Sequence, residues 1–331
     1  MEIKETAMNQ TLTDRNAMIS LSELTRQELV ARWIDFAQVS KHTERAYLKG
    51  ARAFFQFCAA QGVAAPTRSD VLAWLKAMER DGLSVSTRHL RLVAVRRLFC
   101  FLEDEGLARD VTRGVKVPKA DAGHKRSAMN GAAIALTIRR AGGASELERL
   151  RNRAMIALMA TSALRVCEVA RADVQDLDAV NGVLYVHGKA RHEKGELDSV
   201  KVQPQVLAML EEYARARGAV AADAPLFASC SDRNKGGRLT SASVSMVAKE
   251  AMKAAGYDSK RLTAHSLRHS AITLAYLADA PAAKLQEFAR HQSFDTTRLY
   301  IHEAERSRNA CGSLVAAAIF GEEVNEIRHF G

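Results

Sequence analysis

The sequence predicts a mainly α chain: a helical amino-terminal unit followed by an α+β unit with a small antiparallel sheet. Three observations lead there. Apolar residues recur at three- and four-residue spacing through most of the chain. In one region, Val183–Val186 and Ser199–Val202, short β-branched and aromatic runs replace that period around a Gly188-Lys189 turn. Residues 111–128 hold Arg113, Lys116, Pro118, Lys119, Lys125 and Arg126 with no apolar period, and read as a basic linker between two domains. At 331 residues, 47% of them hydrophobic, the chain is long enough for two cores.

Residues 1–20 read as a loose leader, and the helical unit spans 21–110. Thr25-Arg26-Gln27-Glu28 has the form of a capping box, and Leu29, Val30, Trp33, Ile34 and Ala37 follow at helical spacing. A second helix starts near Ser40, carries Tyr47, Ala51, Phe54, Phe55 and Cys58 on one face, and ends before Gly62. A third opens at Thr67-Arg68-Ser69-Asp70 with Val71, Leu72, Leu75 and Met78 inward. A fourth runs from about Ser86 to Glu105 and stops at Gly106. The second domain spans 129–331. Helices are expected over about Gly131–Ala141, Ser145–Thr161 and Arg165–Ala172, then the two strands. Pro204 opens a helix to about Arg217. Four more follow, over about Ser241–Ala255, His265–Leu277, Ala282–Arg290 and Asp295–His302. The tail, 311–331, begins with an apolar segment ending at Phe320.

The net charge is +10, with +5 in residues 1–120 and +5 in residues 121–331. A generically basic protein would show a surplus too, but its spread over both halves fits two domains touching one polyanion. Lys41, Arg45, Lys49 and Arg52 flank the second helix, and Arg88, Arg91, Arg96 and Arg97 the fourth. Such stripes are often merely solvated. Acidic residues are sparse on these faces, which favours DNA phosphates. No apolar run is long enough to span a bilayer, and the amino terminus has no h-region, so no membrane segment or signal peptide is expected. The five cysteines are odd in number, scattered and without a Cys-x-x-Cys pair, which fits reduced thiols in the cytoplasm.

The chemistry concentrates in the second domain. Tyr300 lies nine residues after His291, with Thr296 and Thr297 between. Upstream are His265-Ser266-Leu267-Arg268-His269, the Gly188-Lys189 turn and Arg165-Val166-Cys167-Glu168. Arg, Lys, His, Arg, His and Tyr are the groups a metal-free phosphodiester cleavage requires. A tyrosine hydroxyl has a pKa near ~10, so it needs an electropositive site and a proton acceptor. Arginines can fork the phosphate oxygens and stabilise the transition state, and a lysine on a hairpin tip can protonate the leaving oxygen. Residue by residue, blander readings stay open. Arg165 and Glu168 fit an ordinary i,i+3 pair. His265 and His269 have i,i+4 spacing, but the Glu of a His-Glu-x-x-His metal site is absent. Lys194 and Lys201 rival Lys189.

Taken together and in order, Arg165, Lys189, His265-x-x-Arg268, His291 and Tyr300 resemble the tyrosine recombinases, or phage integrase family, over about Thr25 to Phe320. The layout is similar to the two-domain, Xer- or Cre-like members. The resemblance implies a core-binding, DNA-binding helical domain and a catalytic domain. Arg165 and Arg268 would hold the scissile phosphate, with His291 hydrogen-bonded to it. Lys189 would be the general acid, His265 would help take the tyrosine proton, and Glu168 would orient its neighbours. Tyr300 would attack to give a 3′-phosphotyrosyl bond, which a 5′-hydroxyl of partner DNA then reverses, with no ATP, metal or other cofactor. The partners implied are double-stranded DNA and copies of the chain: monomer or dimer without DNA, homotetramer on two sites. A carboxy-terminal segment would dock on the neighbouring protomer. The family's usual Gly two residues before the first arginine is Ala163 here, and its usual Gly before the second histidine is Arg290. Some relatives add an amino-terminal arm-binding domain; the twenty or so residues before the first helix are too few, which points to short sites. Integration, excision and dimer resolution remain open, as does an accessory protein. The alternatives are a type IB topoisomerase and a catalytically silent DNA-binding protein. The latter predicts loss of Tyr300 or an arginine, and neither is missing.

Overall fold

The structure, a computed structural model, describes residues 26–116, 127–187, 197–308 and 311–320. Among them are 13 α-helices and one three-stranded antiparallel sheet, so the chain is mainly α. It divides into two compact units, which meet in sequence between Ala122 and Gly123. The leader and residues 117–126 of the basic stretch lie outside the described residues.

The first unit holds α1 (Arg26–Ala37), α2 (Lys41–Ala60), α3 (Arg68–Arg80) and α4 (Val85–Asp104). The starts of the last three follow from capping chemistry, while Thr25, the expected cap of α1, lies outside the described residues. The Ser40 and Ser84 hydroxyls accept the Thr43 and Thr87 N–H groups, and Asp70 accepts the Thr67 N–H at 2.8 Å. Trp33, Tyr47, Ala51, Leu98 and Phe101 form one apolar cluster, and Phe54, Val71, Trp74, Leu92 and Phe99 another. At Gly50 an added Cβ would come within 2.8 Å of the Ala94 Cβ, so glycine lets α2 and α4 cross closely. Phe55 and Leu72, expected inward, are exposed. The buried stripes centre on Phe54 and Val71, and one residue further is about 100° around the helix.

The second unit is built around α6 (Glu146–Thr161), where every residue from Ala154 to Ala160 is buried. Preceding it is α5 (Gly131–Arg140), and α7 (Val166–Arg171) follows. The sheet comprises β1 (Leu177–Asp178), β2 (Val183–Val186) and β3 (Asp198–Lys201), in the order β1-β2-β3. Leu184 pairs with Val200 and faces the core, while Tyr185 and Ser199 face outward. β1 is two residues long, too short for a sequence period to announce it. Pro204 at N1 opens α8 (Pro204–Arg217), and α9 (Ser241–Ala254) follows. Then come α10 (Ala264–Leu277), α11 (Ala282–Ala289), α12 (Phe294–Arg308) and α13 (Cys311–Phe320). α10 packs on α6, α11 and α12, which lets it organise the site. No described helix is long and apolar enough to cross a membrane.

Candidate active site

Two turns and two helices assemble the site. The first turn leaves α6 through Ser162 and Ala163 and enters α7 at its N-cap, Arg165. Ala163 adopts a left-handed φ of 46° and is fully buried. Glu168, in the first turn of α7, is 1% exposed. Its Oε2 accepts the Arg165 backbone N–H at 2.7 Å and its Oε1 accepts Arg165 Nη1 at 2.8 Å. The second turn ends α11. Arg290 sits at C′ in the left-handed region, φ 52°. The His291 N–H reaches the Gln286 carbonyl at 3.1 Å and the Arg290 N–H reaches that of Glu287 at 3.0 Å, the pair of bonds of a Schellman motif. Glycine is the usual residue at such a position, and neither turn has one.

The arginines bind the turns to one another. Arg268 on α10 is 2% exposed and donates to the carbonyls of Ala163 and Ala289. Arg165 Nη2 donates to the Arg290 carbonyl at 3.1 Å. The Arg290 guanidinium folds inward, with Nη2 2.8 Å from Glu168 Oε2 and 3.1 Å from the Ala163 carbonyl oxygen. Burial, and then repulsion from Arg165 and Arg290, lower the Arg268 pKa to about 10, so it stays a cation at neutral pH. Burial opposes the charge on Glu168. Arg290 and the Arg165 groups outweigh it and hold the carboxyl below the usual glutamate range.

Tyr300 comes from α12 and is 3% exposed. Its ring stacks on His291, with centroids 5.5 Å apart and planes inclined at 25°. The edge of His269, on α10, meets it at 5.0 Å and 73°. Ala163, Ala271, Ile272 and Ala289 complete the apolar surround. His291 Nδ1 lies 2.9 Å from Oγ1 of the buried Thr297. That contact orients the ring and turns Nε2 the other way. His265 is half-buried in the first turn of α10. The structure therefore brings Arg165, Glu168, Arg268, His291 and Tyr300 together, with His265 on the helix that bears Arg268. Lys189 and its rival Lys194 lie outside the described residues. Lys201 is on β3, with Nζ 2.8 Å from the Asn181 carbonyl oxygen. Sequence reasoning passed over His269 as a ring contact, Thr297 as a hydrogen-bond partner, and the inward turn of Arg290. The Thr-Thr pair between His291 and Tyr300 was the visible trace of the second.

In the first unit Lys41, Arg45, Lys49 and Arg52 are exposed along α2. Arg45, Lys49 and Arg52 share one groove with Arg91 of α4. Arg97 is also exposed. Arg96 is partly buried and donates to the Val115 carbonyl. Arg88 departs from the expected stripe: it is 7% exposed and ion-paired with Glu79 at 2.7 Å, because it lies on the α4 face that turns inward.

Comparison with known proteins gives these features a context. The sequence model of the phage integrase family matches residues 137–307, and that of the phage integrase N-terminal SAM-like domain matches residues 33–106. The tyrosine recombinase XerC of Roseiflexus castenholzii is 29% identical over 285 residues, 81% of this chain and 85% of that protein. The XerC of Actinobacillus pleuropneumoniae is 28% identical over 270 residues, 80% of this chain and 84% of that one. Among solved structures, XerH site-specific recombinase bound to palindromic difH substrate, a post-cleavage complex, aligns with a TM-score of 0.66 at 20% identity over 84% of this chain and 80% of that one. A lambda integrase dimer bound to a COC′ core site aligns with a TM-score of 0.63 at 18% identity, over 84% and 77%. These structures share the fold. The family match spans just over half of the chain, and the chain belongs to the phage integrase family: it is a tyrosine recombinase, an enzyme acting on DNA.

Proposed function

We propose that this enzyme cleaves and rejoins specific double-stranded DNA sites through a 3′-phosphotyrosyl intermediate on Tyr300. The observation that carries the reading is the meeting of Tyr300 with His291, His269 and Arg268 beside the Arg165–Glu168 pair. Arg165 and Arg268 hold the non-bridging oxygens of the scissile phosphate and stabilise the charge that builds on them. His291 adds a hydrogen bond from Nε2, His265 helps take the Tyr300 proton, and Glu168 keeps Arg165 in place. Lys189 protonates the leaving 5′-oxygen. The electropositive surround lowers the cost of forming the phenolate. Because the Tyr300 ring is buried, α12 shifts on DNA when the phosphate enters. A 5′-hydroxyl of the partner strand then displaces the tyrosine. The bond energy is retained in the phosphotyrosyl link, so no ATP is needed, and the arginines, His291 and Lys189 fill the charge-stabilising and proton-donating roles a metal would otherwise take.

Exposed Lys41, Arg45, Lys49, Arg52 and Arg97, with half-buried Arg91, supply phosphate contacts from the helical unit. The lambda integrase structure is of a dimer bound to a core site. For this chain we take dimers on each site and a homotetramer on two. None of the five cysteines forms a disulfide, which supports a cytoplasmic setting.

The test is covalent trapping on nicked DNA. The wild type gives a slow-migrating, protease-sensitive adduct. Tyr300→Phe keeps the packed ring, binds DNA as tightly and gives no adduct. An adduct from the Phe variant removes Tyr300 as nucleophile, and binding without an adduct in the wild type favours a silent DNA-binding protein.

A further inference from the structure

The turn that presents His291 carries a residue that the proposed chemistry leaves unused. Arg290 occupies a left-handed position, φ 52°, where glycine fits without strain. A charged side chain at a helix end normally reaches into water. This one is 6% exposed and points into the site. Besides Glu168 and the Ala163 carbonyl, it donates to the Phe288 carbonyl at 3.1 Å.

The contacts close a ring. The Arg290 guanidinium binds Glu168 Oε2 at 2.8 Å, and Glu168 Oε1 binds Arg165 Nη1 at 2.8 Å. Arg165 Nη2 returns to the Arg290 backbone carbonyl at 3.1 Å. The Arg165 guanidinium is thus held from both sides by elements whose spacing Arg290 sets. Charge points the same way. Glu168 with Arg165 alone is a neutral pair, leaving Arg268 as the uncompensated cation. Arg290 shares the carboxylate and returns a second positive charge to the place the phosphate must occupy.

We propose that Arg290 is a positioning residue for strand cleavage: by taking one oxygen of Glu168 it aims the Arg165 guanidinium and raises the positive charge that Tyr300 and the phosphate meet. This rests on the reading of Tyr300 as the nucleophile.

Single-turnover cleavage of nicked half-site DNA tests it, with half-site affinity measured separately and the rate followed against pH. The groups bearing on that profile are Arg268, His265 and His269 from α10, His291 from the turn, Glu303 beside His269, and Arg165 and Glu168 beside Arg290. Arg290→Gln lowers the cleavage rate by about 10–100-fold, the scale of a misaimed group, and leaves affinity nearly unchanged. Its rising limb moves to higher pH, because a less positive site lets Tyr300 ionise later. Arg290→Lys keeps the charge and loses the fork, so its profile stays in place with a partly recovered rate. If rate and affinity fall together with no shift of profile, Arg290 is only a strut and the proposal fails. If Arg290→Gln melts below the assay temperature, Arg290→Lys decides: a lowered rate with half-site affinity retained supports the role, and a wild-type rate, or rate and affinity falling together, overturns it. A wild type that forms no adduct defeats the reading of Tyr300 itself. Wild-type adducts matched by Arg290→Gln defeat only the role of Arg290.

Discussion

Ala163 and Arg290 hold left-handed backbone at the two turns that Arg165 and Arg268 tie together. Each costs about 1 kcal/mol relative to glycine. Ala163 offsets this with a methyl group buried beside Tyr300, and Arg290 with its ion pair to Glu168. That ion pair gives the site a definite pH dependence. Glu168 has its pKa lowered on folding: burial raises it, but Arg290 and Arg165 prevail. The stability it contributes is full above the unfolded value of about 4.3 and is lost as pH falls through the lower folded value. Glu168→Gln is therefore less stable than wild type at neutral pH, by about 3 kcal/mol, the scale of a broken buried pair. The gap closes as the pH drops below ~4, which denaturant melts across pH 3–7 will measure. At this scale the sequence was legible in which residues meet, as Arg165, Arg268, His291 and Tyr300 do. It marked Arg290 as standing in for a usual glycine, but not as a buried partner of Glu168, because the contact joins residues 122 positions apart. Only the tertiary approach of Ser162–Glu168 turns it inward.

Helices could be read where their starts are chemical: Ser40, Thr67 and Ser145 stand at the N-caps of the helices that follow, whereas the fourth helix is capped by Ser84, two residues before the expected start at Ser86. Burial within a helix was less legible. Arg88, Phe55 and Leu72 all sit near the edge of an amphipathic stripe, where one step of rotation decides exposure. β1 forms by pairing with β2, a long-range fact that two residues cannot encode. The β2–β3 hairpin is the element on which one assigned role depends. His187, just past β2, lies 3.0 Å from the buried carboxylate of Asp176 through its Nε2. This fixes the base of the hairpin; its tip, with Lys189, lies outside the described residues. If Lys189 is the general acid, Lys189→Ala slows cleavage of ordinary DNA by about 100-fold or more. A substrate whose leaving oxygen is replaced by sulfur needs no proton and restores most of the rate. Equal slowing on both substrates moves the role to Lys194.

At the scale of the whole molecule, the open question is what covers the carboxy-terminal helix. Leu314, Val315 and Ile319 of α13 are 57%, 56% and 67% exposed. A ten-residue helix is marginal alone in water, and an apolar face of this kind marks a binding surface. They are uncovered among the described residues, and we propose that they dock on a neighbouring protomer. A head-to-tail contact of that sort closes into a ring when copies meet on DNA. It would also couple protomers, since few residues separate Tyr300 on α12 from Leu314 on α13. Truncation after Ser313 should therefore leave the melting temperature and the affinity for a single half-site unchanged. It should abolish cooperative binding to the full site, seen as loss of the slowest species in a gel shift, and most strand exchange with it. A truncated chain that melts early or aggregates would show that α13 packs in cis, and the ring contact would have to come from another surface.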